Sequence, residues 1–326
     1  MADFANSNIV AMLYRVAART DPALVAGLPM VDANSAGTVH GGLKRELVGR
    51  IIELHGPHLL FRVGDDLAAF ADSPILQVFL RSPDALVLAE KWMRLERFHH
   101  ASNRTHIVAS PTSWVCTRYA SERKPGFGEN CVIAGFFIGL LKLVGAGGVV
   151  LEAGGRVVDV GSADDWSRQN DFSGFTLRWA DFVPVQDDGA RDDRSVVAGS
   201  VLERLQSLVA EDVARGWRIA DAANRLALSP RSLQRHLSSR NRSFSSVVRQ
   251  ARVAEAARLL CSTRLALAEI AFCCGYADQA HFQRDFRRVT NITPKIHRDM
   301  TLQSARVGES HAETRSTGEI GNLPAV

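Results

Sequence analysis

Two segments between Trp217 and Arg298 repeat one pattern, the first from Ile219 to Leu237 and the second from Leu267 to Arg288. Each reads as a short helix with apolar periodicity, a tight turn, and a second helix rich in Arg, Gln, Ser and His. Such a stretch can bury one face and must leave the polar face outside. The exposed side chains are of the types that read base edges and phosphates in a major groove. Two such units in the same order, joined by a helical connector, point to a DNA-binding module of tandem helix-turn-helix units.

The charge distribution agrees. The chain has 326 residues and a net charge of +4. Residues 196–300 hold 16 Arg and 1 Lys against 9 Asp and Glu, a balance of +8, which leaves −4 for the rest. Only the C-terminal part is therefore suited to a polyanion.

Within the first unit, Ala222, Ala223 and Leu226 face Leu233 and Leu237. Ser229 is the N-cap of the second helix and Pro230 its first residue. Ser229, Arg231, Ser232, Gln234 and Arg235 lie on its early turns and are candidates for DNA contact. In the second unit Gly275 permits the turn, Asp278 or Ala277 opens the helix, and Phe282 and Phe286 share its buried side. Gln279, His281, Gln283, Arg284, Arg287 and Arg288 fall on the remaining surface. Arg284 and Gln279 suit base contact, because Arg pairs bidentately with guanine and Gln with adenine. Arg287, Arg288, Lys295 and Arg298 suit phosphates. The connector is read as a helix from Ser243 to Leu260, capped by Ser243, with Phe244, Val247, Val248, Ala251, Ala254 and Leu259 buried. Val196 to Arg215 is expected to pack as a helix across the first unit.

These residues closely resemble the C-terminal DNA-binding domain of the AraC/XylS family of bacterial transcription regulators. The resemblance covers residues 200–300 and rests on Ser229-Pro230-Arg231-Ser232-Leu233-Gln234-Arg235, on Glu269-Ile270-Ala271, on Gly275 to Phe282, and on Phe286-Arg287-Arg288 with Thr293-Pro294 and Arg298. It implies two recognition helices in successive major grooves near a promoter. Ala227 stands where a Gly often makes the first turn, Ala266 where a Ser or Thr caps, Asn291 where a Gly precedes Ile292, and His297 where an aromatic ring stands.

The N-terminal half opens with helical patterns at Asn8–Arg19 and Val39–Leu54, and with two short pieces between Asp65 and Leu80. Ser82-Pro83-Asp84 reads as an N-cap followed by a helix to Phe98. A hairpin follows at Thr105–Ser110 and Ser113–Ala120, then an apolar helix at Glu129–Val144. Strands are expected at Val149–Glu152, Arg156–Val160 and Phe175–Trp179. The whole is read as two domains. An α+β sensor and dimerisation domain spans 1–186, a linker 187–195, an all-α DNA-binding domain 196–300 with its two units on a connecting helix, and a disordered tail 301–326. The first half more weakly resembles the N-terminal domain of the AraC-like subgroup labelled arabinose-binding type, through Asp21-Pro22-Ala23-Leu24-Val25, Ser82 to Leu86 and the helix-then-hairpin order. That resemblance implies sensing or dimerisation and fixes no sugar. Arg104, His106, Trp114, Arg118 and Tyr119 alternate on the hairpin and are candidates to line a pocket.

The reading is therefore a sequence-specific transcription regulator, an activator before a repressor, and not an enzyme. The alternative is an enzyme or redox sensor fused to a DNA-binding domain. No Gly-x-Ser-x-Gly or His-Glu-x-x-His is present, and the five cysteines form no Cys-x-x-Cys. No cofactor or metal is expected, as His99-His100 with His106 has no ligand spacing. The candidate partners are double-stranded promoter DNA, RNA polymerase, a small-molecule effector and a second copy of the chain. Asp3 and Asn6 interrupt the N-terminus, and the longest apolar run, Cys131–Val144, is too short to span a bilayer, so a cytoplasmic location is expected.

Overall fold

The computed structural model describes residues 4–31, 38–98, 103–120, 123–161, 172–184 and 199–300. The expected linker and tail lie outside these residues, as do His99 and His100.

Helices dominate the start. Strand β1 (Phe4–Asn6) leads into α1 (Ser7–Thr20). Strand β2 (Thr38–His40) pairs antiparallel with β1 and leads into α2 (Gly41–His55). The helix expected from Val39 thus begins two residues later, because Val39 is taken up by this ladder. Short α3 (His58–Phe61) precedes α4 (Pro74–Leu80) and α5 (Ala85–Phe98). The cap of α5 is Asp84, whose carboxylate accepts from the Val87 amide at 2.8 Å. Ser82, expected in that role, is buried two residues earlier.

Helix α6 (Phe127–Leu143) is buried on nearly every side, which its unbroken apolar run requires. Two of its glycines let another backbone touch it. A Cβ on Gly135 would meet the Phe61 carbonyl at 2.5 Å, and one on Gly139 would collide with Gly64. Around α6 lies a five-stranded antiparallel sheet. In spatial order it runs β3 (Asn103–Ala109), β4 (Ser113–Ala120), β8 (Gly174–Arg178), β6 (Val150–Ala153) and β7 (Arg156–Val158). A two-stranded ladder, β5 (Ala146–Gly147) with β9 (Asp181–Phe182), lies beside it. The two-residue side-chain period decides what each strand buries. Ile107, Trp114, Cys116, Leu151, Phe175 and Leu177 face the core, and Val108, Val115 and Val157 face solvent.

The same parity divides the five hairpin residues expected to share a pocket. Trp114 and Arg118 point inward, while Arg104, His106 and Tyr119 do not. Trp114 packs edge-on against Phe137 at 5.5 Å. Arg118 is held by Thr105 Oγ1 at 2.7 Å and Glu96 Oε1 at 3.4 Å, a buried network that satisfies its charge.

The C-terminal part is helical throughout. It comprises α7 (Val201–Glu211), α8 (Ile219–Arg225), α9 (Pro230–Ser238), α10 (Phe244–Ser262), α11 (Leu267–Cys273) and α12 (Gln279–Thr290), and residues 294–300 are helical too. α10 carries two cores in succession. Val247 and Val248 pack with α7, α8 and α9, whereas Val253, Ala256, Leu259 and Leu260 pack with α11 and α12. The two sets point roughly 140° apart at 100° per residue. Ala254, expected to be buried, falls between them and is exposed.

The second of these cores is continuous with that of the N-terminal part. Phe272 of α11 lies 5.9 Å from Phe79 of α4 and 6.2 Å from Phe98 of α5, and the Arg94 guanidinium sits 5.2 Å above its ring. Beside it, Lys91 is fully buried and donates to Asp212 at 2.7 Å and to the Val78 carbonyl at 2.7 Å. Among the described residues no helix is long and apolar enough to cross a membrane.

Candidate nucleic-acid interface

The first turn is built by backbone hydrogen bonds. At the end of α8 the Leu228 amide donates to the Ala223 carbonyl at 2.8 Å, and Ala227 donates to Asn224 at 3.0 Å. This pair of bonds requires a left-handed residue between helix and exit. Ala227 fills that place at φ +55°. After α11 the same pair recurs, Tyr276 to Ala271 and Gly275 to Phe272, with Gly275 at φ +76°. A Cβ there would approach the Val213 carbonyl to 2.7 Å, so this position needs glycine on steric grounds also.

Each turn ends in a capped helix. Ser229 Oγ accepts from the Ser232 amide at 3.1 Å and donates to Ser232 Oγ at 2.9 Å. Asp278 accepts from the His281 amide at 2.7 Å. Ser243 caps α10 in the same manner. Ala266 has no side-chain cap, and Glu269 accepts its amide at 2.8 Å instead. Asn291 takes φ +63° after α12, and His297 packs edge-on against Phe286 at 5.5 Å.

On this scaffold Leu233 and Leu237 of α9, and Phe282 and Phe286 of α12, are buried. The opposite faces are open. Arg231, Gln234 and Arg235 are exposed on α9, and Gln279, Gln283, Arg284, Arg287 and Arg288 on α12. Among the described residues none of these five arginines makes an ion pair.

Several other arginines of the region are engaged. Arg225 pairs with Glu211, Arg249 with Asp285 and Arg258 with Glu255, and Arg204 donates to the Leu226 carbonyl. Arg298, expected to meet phosphate, turns inward and donates to the Leu265 carbonyl at 2.7 Å. That bond ties the last helix to the start of α11. His281 is also partly engaged, 3.5 Å from Asp285 and edge-on to Tyr276. Ser229 and Ser232 serve the cap first. The open donors are therefore chiefly the arginines and glutamines.

Four of the five cysteines are buried, and burial pushes each of their thiols well above the usual range. A thiol so placed is a poor source of thiolate. Among the described residues no three His, Cys, Asp or Glu side chains gather as metal ligands would.

Residues 222–300, which span α8 to α12, match the family model described as Helix-turn-helix domain. This region is an AraC-type helix-turn-helix domain. Over 141 residues, 43% of this chain and 46% of the relative, the sequence is 30% identical to the transcriptional regulator SirC of Salmonella typhimurium. Over 96 residues, 29% of this chain and 37% of the relative, it is 26% identical to the virulence regulon transcriptional activator VirF of Shigella flexneri. The chain thus spans less than half the length of these curated relatives. A solved AraC-type DNA-binding regulator from Chromobacterium violaceum is 26% identical, with 32% of this chain and 93% of that one covered at a TM-score of 0.31.

Sequence reasoning missed the contacts of the AraC-type domain with α4 and α5. One signal was available. Lys91 falls on the apolar stripe of Leu88, Trp92 and Leu95, where a lysine needs a buried partner. Nothing local named Asp212 as that partner.

Proposed function

We propose that the chain is a sequence-specific DNA-binding transcription regulator, and an activator, with α9 and α12 as the helices that enter successive major grooves. One observation carries the reading. The outer faces of α9 and α12, the helices that follow the two turns, present five arginines with no ion pair among the described residues together with Gln234, Gln279 and Gln283. Guanidinium forks and side-chain amides gathered on one helix face suit duplex DNA, which offers both phosphates and base edges. The 19 residues of α10 make a rod of about 28 Å between the two units. Successive major grooves on one face are about 34 Å apart, which the recognition helices at either end can span. DNA, a small-molecule effector, RNA polymerase and a second copy of the chain are the partners of this reading, and the protein works in the cytoplasm.

The test uses the full chain on DNA selected from a random pool. Arg284→Ala is expected to weaken binding to the selected sequence by about 1–3 kcal/mol and to relax preference at one base pair. Arg288→Ala is expected to weaken binding to selected and random DNA alike and to flatten the log-affinity against log-salt slope by about 0.9. If no sequence is enriched, the reading fails. If Arg284→Ala costs the same on both DNAs, its assignment to a base fails.

A further inference from the structure

A second cluster of arginines lies far in sequence from the recognition helices, on the N-terminal part. A cleft of about 390 Å³ opens between α5 and β3. Arg94 and Arg97 stand one helical turn apart on α5, and both line it. Arg104 enters from β3, with Tyr119 directly across the ladder from it and His106 two residues on.

The charges of this cleft do not cancel. Its carboxylates are Glu90 and Glu96. Glu96 is engaged on both oxygens, by the Thr105 amide at 2.6 Å, by Thr105 Oγ1 at 2.9 Å and by Arg118 at 3.4 Å. Glu90 is exposed and makes no ion pair among the described residues. Three guanidiniums thus face one uncommitted carboxylate.

Arg94 is the telling member. Its Nε and Nη2 are buried and have no hydrogen-bond acceptor. Burial and the neighbouring Arg252 charge hold the group down to about 10. Asp212 is the carboxylate that attracts it, and Asp212 already accepts from Lys91. A buried charged donor without an acceptor is costly, and such groups are normally matched by an anion.

We propose that this cleft binds a small organic anion, a metabolite bearing a carboxylate or phosphate group, gripped by Arg94, Arg97 and Arg104. Guanidinium forks suit both kinds of oxyanion, and the volume suits a ligand of metabolite size. The site has a direct route to the DNA-binding part. The guanidinium of Arg94 lies on the Phe272 ring, and α11 precedes the turn that sets α12. An oxyanion that draws on Arg94 competes with that stacking.

The proposal is independent of whether the chain binds DNA, and its test contains none. The full chain is melted and titrated with citrate and, separately, with inorganic phosphate, at constant ionic strength kept by sodium chloride. A saturable rise in Tm is expected with one of the two, and which one names the oxyanion class. Arg97 is exposed and Arg104 half-buried, and neither belongs to the hydrophobic core, so Arg97→Gln and Arg104→Gln leave the core intact. Each is expected to weaken that response about tenfold. The double variant Arg284→Ala/Arg288→Ala is expected to keep it. No saturable response to either anion overturns the proposal. So does a response that persists unchanged in Arg97→Gln and Arg104→Gln, or one lost in the α12 double variant.

Discussion

At the residue scale, strain and buried charge mark the positions where the chain departs from its cheapest chemistry. Ala227 holds φ +55° at a turn that glycine would make freely. A left-handed non-glycine residue is held at roughly 1–2 kcal/mol above its relaxed state, and glycine carries extra entropy when unfolded. The net expectation is that Ala227→Gly stabilises by about 0.5–1 kcal/mol, read as a higher midpoint in urea with an unchanged slope. Lys91 is the second such position. Burial outweighs the attraction of Asp212 and lowers its ammonium from 10.5 to about 8. The unfolded chain therefore keeps this proton up to about pH 10.5, while the folded chain releases it near 8. Between those values the unfolded state binds more protons, so stability rises with pH. Compared with Lys91→Met/Asp212→Leu, the wild-type chain is expected to gain Tm as pH goes from 8 to 10. A flat difference would place the charge in water rather than in the core.

At the element scale, caps and parity decide more than propensity does. Helices α7, α9, α10 and α12 start at Ser200, Ser229, Ser243 and Asp278, whose side chains accept amides of the first turn. These short signals stand within four residues of their targets, so they are legible without a structure. Ser243→Ala is expected to cost about 1 kcal/mol, measured by denaturant melting of the full chain. By contrast, the α5 start was misplaced by two residues, because Ser82 and Asp84 are both acceptable N-caps and only the fold buries the first. The hairpin shows the same limit in a sheet. Its strands were evident from β-branched runs, yet Arg118 and Tyr119 differ by one place and face opposite sides.

At the scale of the whole molecule, the second helical pair of the AraC-type domain shares a core with the N-terminal part, and the first pair keeps a core of its own. Phe272 is the centre of that junction, fully buried among Phe79, Phe98 and Arg94. Phe272→Ala is expected to cost about 3–5 kcal/mol. It is also expected to loosen α11 from α5, seen as faster hydrogen exchange in both helices while α8 and α9 keep their protection. Uniform acceleration across all four would show that the two cores unfold as one.

What the sequence by itself determined was local. Helix periods, caps, the residues that flank each turn and the exposed arginines of α9 and α12 depend on spacings of three or four residues. A single stretch of chain contains all the information they need. What only the tertiary structure decided was which buried groups meet across distance. Lys91 and Asp212 are 121 residues apart, and Arg94 reaches Phe272 from another part of the chain. The two faces of α10 and the inward turn of Arg298 belong to the same class. Apolar burial and Coulomb attraction carry no address in sequence, so the partner of a buried side chain is set by packing geometry alone.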